Sequence, residues 1–293
     1  MSTTWLAVTP LDTIMVRDGR PFDAGAASSA SSVPPAPNTL GGVVRAALGR
    51  DVDRILGPVV DTGDGVIFPA PQDLVRDGRT VRRLAVAERA ATAVSDLDER
   101  QRLSHHLVGE GDPVLEWISR GGLTDWLTGA MAGGRDIARS PLRADSPWVP
   151  EARLGLARHW RGPLVGTAAP GLLYAMTQLR PREGTRFLVG CVDDKPIEVG
   201  ADLVPLGGRG RLAEVTAGPR DVLPAAPEDF PGGRVAVYLA TPALLPGPLW
   251  SPPEAELSAV AMAGPQPVPS ASPRNGFGAG CSPGPSRRGR CSS

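Results

Sequence analysis

The run from Trp5 to Val16 closes in an Asp-Gly turn and is followed, after a spacer of small residues, by a helix start. This strand, turn and helix order limits the fold more than any other stretch of the chain. Trp5, Ala7 and Leu11 fall on one face of an extended segment and Leu6 and Val8 on the other. Ile14, Met15 and Val16 continue the apolar run, which predicts a buried opening strand. Asp18-Gly19 breaks it, because Gly tolerates positive φ, and Pro21 fixes its own φ just beyond. Arg17 and Arg20 bracket the turn. Two guanidiniums beside exposed backbone amides suit a phosphate seat, and they equally suit a solvated turn in which Asp18 pairs with an arginine.

Ala24 to Ser32, AGAASSASS, has the composition of a loop, and Val33-Pro-Pro-Ala-Pro then runs extended into Asn38, a predicted N-cap. Leu40, Val43, Val44, Ala47 and Leu48 follow at helical spacing up to Gly49. Gly41 and Gly42 in the first turn each weaken the helix by roughly 1 kcal/mol relative to Ala, a cost that asks for a reason. Either an RNA phosphate approaches the free N–H groups of the helix start, or the helix packs tightly on the opening strand. Arg45, one turn from Gly41, adds a positive charge to the first alternative.

At 293 residues the chain is long enough for two domains, and 41% apolar residues can fill a sizeable core. Thirty-one basic residues balance 31 acidic ones, which argues against a protein that coats nucleic acid in bulk and leaves room for a local basic seat. Cys191, Cys281 and Cys291 form no CxxC pair, so neither a disulfide framework nor a zinc site is indicated. No apolar run approaches the length of a membrane span, and no signal-peptide pattern opens the chain, so a soluble cytoplasmic protein is expected.

Further along, Ile55 to Val75 reads as a hairpin around TGDG, ending in FPAP and Asp73. RDGRTVRR at Arg76 to Arg83 repeats the Asp-Gly turn with four arginines, a solvated face or an addition to a basic groove. Helices are expected at Leu84 to Val94, Leu97 to Leu107, Val114 to Ile118 and Leu123 to Met131, with Trp117 and Trp126 as core anchors. His105, His106 and His159 lack any recognisable catalytic spacing, and neighbours on a helix point about 100° apart. Strands are expected at Leu172 to Leu179, Phe187 to Val192, Leu212 to Thr216 and Val235 to Thr241. Between the second and third lies LGGRGR, whose glycines let backbone amides approach a phosphate or base, with Arg209 and Arg211 to neutralise it; a flexible hairpin tip is the alternative. The single lysine, Lys195, is elsewhere and no P-loop pattern is present. Pro265 to Ser293 carries one aromatic residue and no periodicity, and is expected to be disordered.

VRDGRPFDAG, then PPAPNTLGGVVRAAL, FPAP-x-D, the G-LY strand and LGGRGR, in that order over about residues 3 to 250, resemble the third-subunit family of the type III-B CRISPR effector, the Cmr complex, within the RAMP superfamily. Sequence pattern alone gives a strand-rich α+β protein. The resemblance implies two ferredoxin-like βαββαβ domains: residues 1–151 with a helical insertion at about 76–150, and 152–262 with the glycine-rich loop. Residues 263–293 depart from the family, as a shifted frame near 262 or a truncation would produce.

The resemblance also implies a non-catalytic role in antiviral defence, without cofactor or metal. The chain would hold the 5′ repeat-derived handle of the guide RNA and dock the large polymerase-like subunit beside other RAMP subunits. One expected jaw is Arg17, Asp18, Gly19, Arg20 and Phe22 with Asn38, Gly41, Gly42 and Arg45, and the second is Gly207, Gly208, Arg209 and Arg211. A single-stranded handle would be read by stacking and phosphate contacts. Two other classes stay open: a RAMP-type endoribonuclease that cuts guide precursor, and a purely structural subunit.

Overall fold

A computed structural model of the chain describes residues 2–17, 30–89, 103–131, 134–136, 142–143, 145–159, 162–163, 165–243, 245, 250–264, 270–272 and 276–278. In chain order the first elements are β1 (Ser2–Pro10), β2 (Ala30–Ser31), α1 (Pro37–Leu48), β3 (Arg54–Asp61), β4 (Val66–Pro69), β5 (Leu74–Asp77), β6 (Thr80–Arg83), β7 (Ala85–Glu88) and β8 (His105–Val108). Then follow β9 (Asp112–Pro113), β10 (Trp117–Ser119), α2 (Arg120–Leu127), β11 (Arg135–Asp136), β12 (Leu142–Arg143), β13 (Trp148–Arg158) and β14 (Ala168–Pro181). The last are β15 (Arg186–Asp193), β16 (Leu203–Pro205), β17 (Leu212–Ala217), β18 (Ser270–Ser272) and β19 (Gly276–Gly278). The protein is thus α+β and rich in antiparallel strands.

The opening strand becomes the middle of the main sheet, whose eight strands run β12-β10-β4-β3-β15-β1-β17-β16. β1 pairs antiparallel with β15 on one side and β17 on the other, and β15 pairs antiparallel with β3. With α1 linking β1 to β3, the order β3-β15-β1-β17 is that of one βαββαβ unit. Its second crossover, 194–211, carries β16 where such a unit has a helix. Strands from both sides of residue 151 share this sheet.

Both faces of the sheet are buried, which is why β1 is apolar at consecutive positions. Leu6 and Val8 join Leu40, Val43, Val44 and Ala47 of α1 with Phe187, Val189 and Cys191 in one core. Trp5 and Ala7 face the other, with Phe68, Leu74, Ile118, Leu123, Trp126 and Leu188. α1 starts one residue before the expected cap: Ala36 is the N-cap and Pro37 the first helical residue, because proline's fixed φ and missing N–H suit that position. Asn38 is inside the first turn, where its Oδ1 accepts from the Thr39 N–H at 2.9 Å. Gly49 ends the helix at φ 67°, as expected.

None of the described residues of the expected helices between 84 and 118 is helical, and three short strands form among them. Ala85–Glu88 pairs with His105–Val108, and Trp117–Ser119 joins the main sheet against Val66–Pro69. Among the described residues between 84 and 131 α2 is the one helix, and it begins at Arg120, so Gly121 and Gly122 lie inside it; the Ser119 hydroxyl caps it, accepting from the Gly122 N–H at 3.2 Å. Residues 90–102 of the expected insertion lie outside the described residues. Val235–Thr241 is not a strand either: Ala236, Tyr238 and Ala240 pack on the second core while Val235, Val237 and Leu239 are exposed, and no described strand pairs with it. In the expected disordered tail, β18 and β19 pair with each other, and the other residues of 265–293 lie outside the described set.

Candidate nucleic-acid interface

Beyond Pro10 the chain leaves the sheet and is stitched to three other elements. Ile14 exchanges backbone hydrogen bonds with Leu179 of β14 at 2.7 and 3.1 Å. Met15 bridges Gly207, and its carbonyl accepts from the Gly208 N–H at 2.8 Å. Arg17 bridges Ser32, whose own N–H donates to Thr177 of β14 at 2.8 Å, and β2 runs parallel to β14 there. Asp18, Gly19, Arg20 and Phe22 lie outside the described residues, but the two ends of that segment are fixed side by side. Met15, two residues before Arg17 of the first expected jaw, therefore meets Gly207 of the second.

The contact explains Gly207. Its φ is 74°, and a Cβ there would stand 2.5 Å from the Met15 carbonyl oxygen. The loop is closed by the Leu206 N–H donating to the Arg211 carbonyl at 2.8 Å, with Leu206 buried in the first core. The loop is the connection of the β16–β17 hairpin, and these bonds tie its base to Met15. The amides of Gly208 and Leu206 are used inside the fold, so the phosphate cradle expected of the loop does not rest on them.

The loop's two arginines differ. Arg211 pairs with Asp12 and donates to Gln178 Oε1 at 3.0 Å, and its side chain is 19% exposed. Asp12 is also 3.6 Å from Arg180, which pairs with Glu151, as does Arg153. The N–H of Thr13, with Arg211 behind it, holds the Asp12 carboxyl below the usual carboxylate range. Hydrogen bonds from Arg180 and Arg153 do the same for Glu151. Arg209, exposed and at φ 61°, pairs with no carboxylate among the described residues; its guanidinium donates to the Tyr174 hydroxyl. Below lie Met15 and Met176, both buried, with Tyr174 against them.

At Gly41 a Cβ would come within 3.3 Å of Ile55 Cδ1, so the close packing there is on β3 and not on the opening strand. Gly42 opens on empty space and Arg45 pairs with Asp51 at 2.5 Å on the surface. In RDGRTVRR, Arg76 pairs with Glu116, Arg82 with Asp77 and Arg83 with Asp73. His105 and His106 point to opposite faces of β8, and Ser104 Oγ and Ser258 Oγ each lie 2.9 Å from His105 Nδ1. His159 sits at the far end of the β13–β14 hairpin. No group of three or more metal-ligating side chains occurs among the described residues.

A family model for the CRISPR-associated protein Cas_Cmr3 matches residues 6–273. The chain belongs to that family. The match runs past Met262, near which the sequence was expected to leave the family. No curated protein matches this Cas_Cmr3-family chain. Two cryo-EM structures of the type III-B Cmr-beta complex bound to cognate target RNA contain a similar chain, one of them with AMPPnP also bound. Each is 14% identical over 73% of this chain, with TM-scores of 0.43 and 0.42, and this chain covers 63% and 64% of theirs, less than two thirds.

Within the Cas_Cmr3 motifs, FPAP-x-D proves structural. Asp73 is buried and accepts from Trp126 Nε1 at 2.8 Å and Arg83 Nε at 2.6 Å, while the Arg83 guanidinium lies 4.2 Å over the Trp126 ring. The residues that sequence reasoning missed are Asp12, Tyr174 and Gln178. Tyr174 sits in the G-LY motif, a signal that pointed to a strand and gave no hint of Arg209.

Among the described residues no helix is long and apolar enough to cross a membrane.

Proposed function

We propose that this chain is a non-catalytic subunit of a type III-B CRISPR RNA-guided effector, acting in the cytoplasm in antiviral defence. It holds the 5′ repeat-derived handle of the guide RNA and docks the large polymerase-like subunit and neighbouring RAMP subunits. In this reading the chain comprises two ferredoxin-like units, and β1, α1, β3, β15 and β17 supply the strand order of one.

The observation that carries the reading is the junction of Met15 with Gly207. It sets the root of RDGRPF and the arginines of LGGRGR on one rim. Three guanidiniums, Arg153, Arg180 and Arg211, stand there against two carboxylates, Asp12 and Glu151, and Arg209 adds to the excess. A local positive rim on a chain with no net charge suits a few phosphates of one strand rather than a long duplex.

The test is a titration of the purified chain, alone and with its large-subunit partner, against single-stranded RNA carrying the repeat handle or a scrambled one. Handle-selective binding is expected, and Arg17→Ala with Arg20→Ala should weaken it and flatten its salt dependence. An unchanged affinity and slope would refute the phosphate role. Cleavage of repeat RNA that disappears in His105→Ala, His106→Ala or His159→Ala would replace this reading with the endoribonuclease.

A further inference from the structure

The geometry assigns the loop's phosphate contact to Arg209 alone, with Tyr174 as the positioning residue that aims its guanidinium at a phosphodiester of single-stranded RNA. This rests on the guide-RNA reading above and divides residues that the sequence could not tell apart.

Charge separates them first. Arg211 faces Asp12, Arg180 and Arg153 share Glu151, and Arg45 faces Asp51, so each has a carboxylate partner. Arg209 donates to a neutral phenol and keeps its full charge at the loop's tip. A guanidinium has five N–H donors in a planar fork, and one hydroxyl occupies one of them. The rest suit the paired oxygens of a phosphate.

Conformation agrees. Arg209 sits in the left-handed region at φ 61° between Gly207 and Gly210, at 74° and 68°. A glycine would adopt that backbone without strain, so a long cationic side chain there marks a site where the charge matters more than the strain.

Tyr174 fixes where the charge points. It stands opposite Gly155 in the β13–β14 ladder, and its ring covers that glycine so closely that a Cβ would fall 2.3 Å from Cζ. Met15 and Met176 pack against it as well. The ring cannot sink, and its hydroxyl projects toward the loop. The Arg209 guanidinium carbon lies 5.6 Å from the ring centroid, which with the hydroxyl bond puts the cation at the hydroxyl end of the ring. Met15 belongs to the segment that leads to Arg17, so the aimed charge lies on the same rim as the first jaw.

The experiment is a salt series of handle-RNA titrations on the full chain with its large-subunit partner. Arg209→Ala should weaken binding and lower the slope of log K against log salt by about 0.7, one phosphate on a single strand. Asp12→Asn with Arg211→Gln removes an ion pair without changing net charge and should leave the slope as it was. Tyr174→Phe, which keeps the ring on Gly155, should weaken binding several-fold in the wild-type background and not at all in Arg209→Ala. A purely structural tyrosine would act equally in both backgrounds, and that result, or a wild-type slope in Arg209→Ala, overturns the assignment while leaving the guide-RNA reading intact. Wild-type protein without handle selectivity removes both.

Discussion

Replacing Gly207 by alanine tests whether the junction of the two jaws is a packed structure. Two costs add. Alanine at φ 74° is strained by about 1–2 kcal/mol, because its Cβ crowds the following carbonyl in the left-handed region. The same Cβ would stand 2.5 Å from the Met15 carbonyl oxygen, a backbone atom held by its own bridge, so the loop must lift. Lifting breaks the 2.8 Å bond from the Gly208 N–H, worth about 1 kcal/mol. The sum is about 2–3 kcal/mol, and at ~2–4 °C per kcal/mol for a protein somewhat smaller than this one, the thermal midpoint should fall by roughly 5–10 °C. Differential scanning calorimetry reads the stability, and the handle titration reads the site, where affinity should fall as Arg209 moves with the loop. A midpoint equal to wild type would mean that the loop does not rest on Met15, and the argument from the junction would fail with it.

Gly42→Ala should act in the opposite sense, since its Cβ meets nothing within 4 Å: a gain of about 0.5–1 kcal/mol in stability, read as a raised thermal midpoint, with lower handle affinity only if RNA approaches the start of α1. Asp73→Ala leaves the Trp126 N–H and the Arg83 guanidinium without their acceptor, and a loss of about 3–5 kcal/mol is expected in denaturant unfolding; a loss below about 1 kcal/mol would contradict the buried pair. Burial pushes the Cys191 thiol up to about 11, so it should resist a thiol reagent at pH 8 until the chain unfolds, and mass spectrometry of its peptide would report early modification. Because that folded value exceeds the unfolded one, its contribution is complete below the unfolded value and fades as pH climbs toward 11. On the acid side the folded values of Asp12, Glu151 and Asp193 lie below their unfolded ones, so the stability they give is present above about pH 4 and lost as pH falls further, read as a declining thermal midpoint.

What could be read from the sequence was local. The two faces of β1 and the apolar stripe of α1 follow from side-chain period alone, and both match the two cores. The helices drawn through Ala- and Glu-rich residues failed at Ala85–Glu88 and His105–Val108, where pairing between distant segments outweighs a weak helical preference. Val235–Thr241 shows the reverse: its alternation is real, one face packed and one exposed, yet period says nothing about a partner strand. At the candidate site, the glycines of LGGRGR did mark a close approach. That the approaching group is the Met15 carbonyl, and that Asp12 neutralises Arg211 but not Arg209, depends on residues some 200 positions apart in the chain, which no window contains.

The position of β1 has a consequence for how the protein is made. Val8 lies opposite Phe187 on one side and Val215 on the other, so β1 has no neighbouring strand until β15 has been made. At roughly 5–20 residues per second, a ribosome leaves that strand waiting for about 10–40 seconds. During the wait an apolar segment, Trp5 to Val8, is unshielded, and its eventual closure spans a large loop, a slow kind of topology. Expression should therefore be limited by what happens to β1 on the nascent chain. Chaperone supply or slower synthesis would change the yield of this chain more than changes to its finished core.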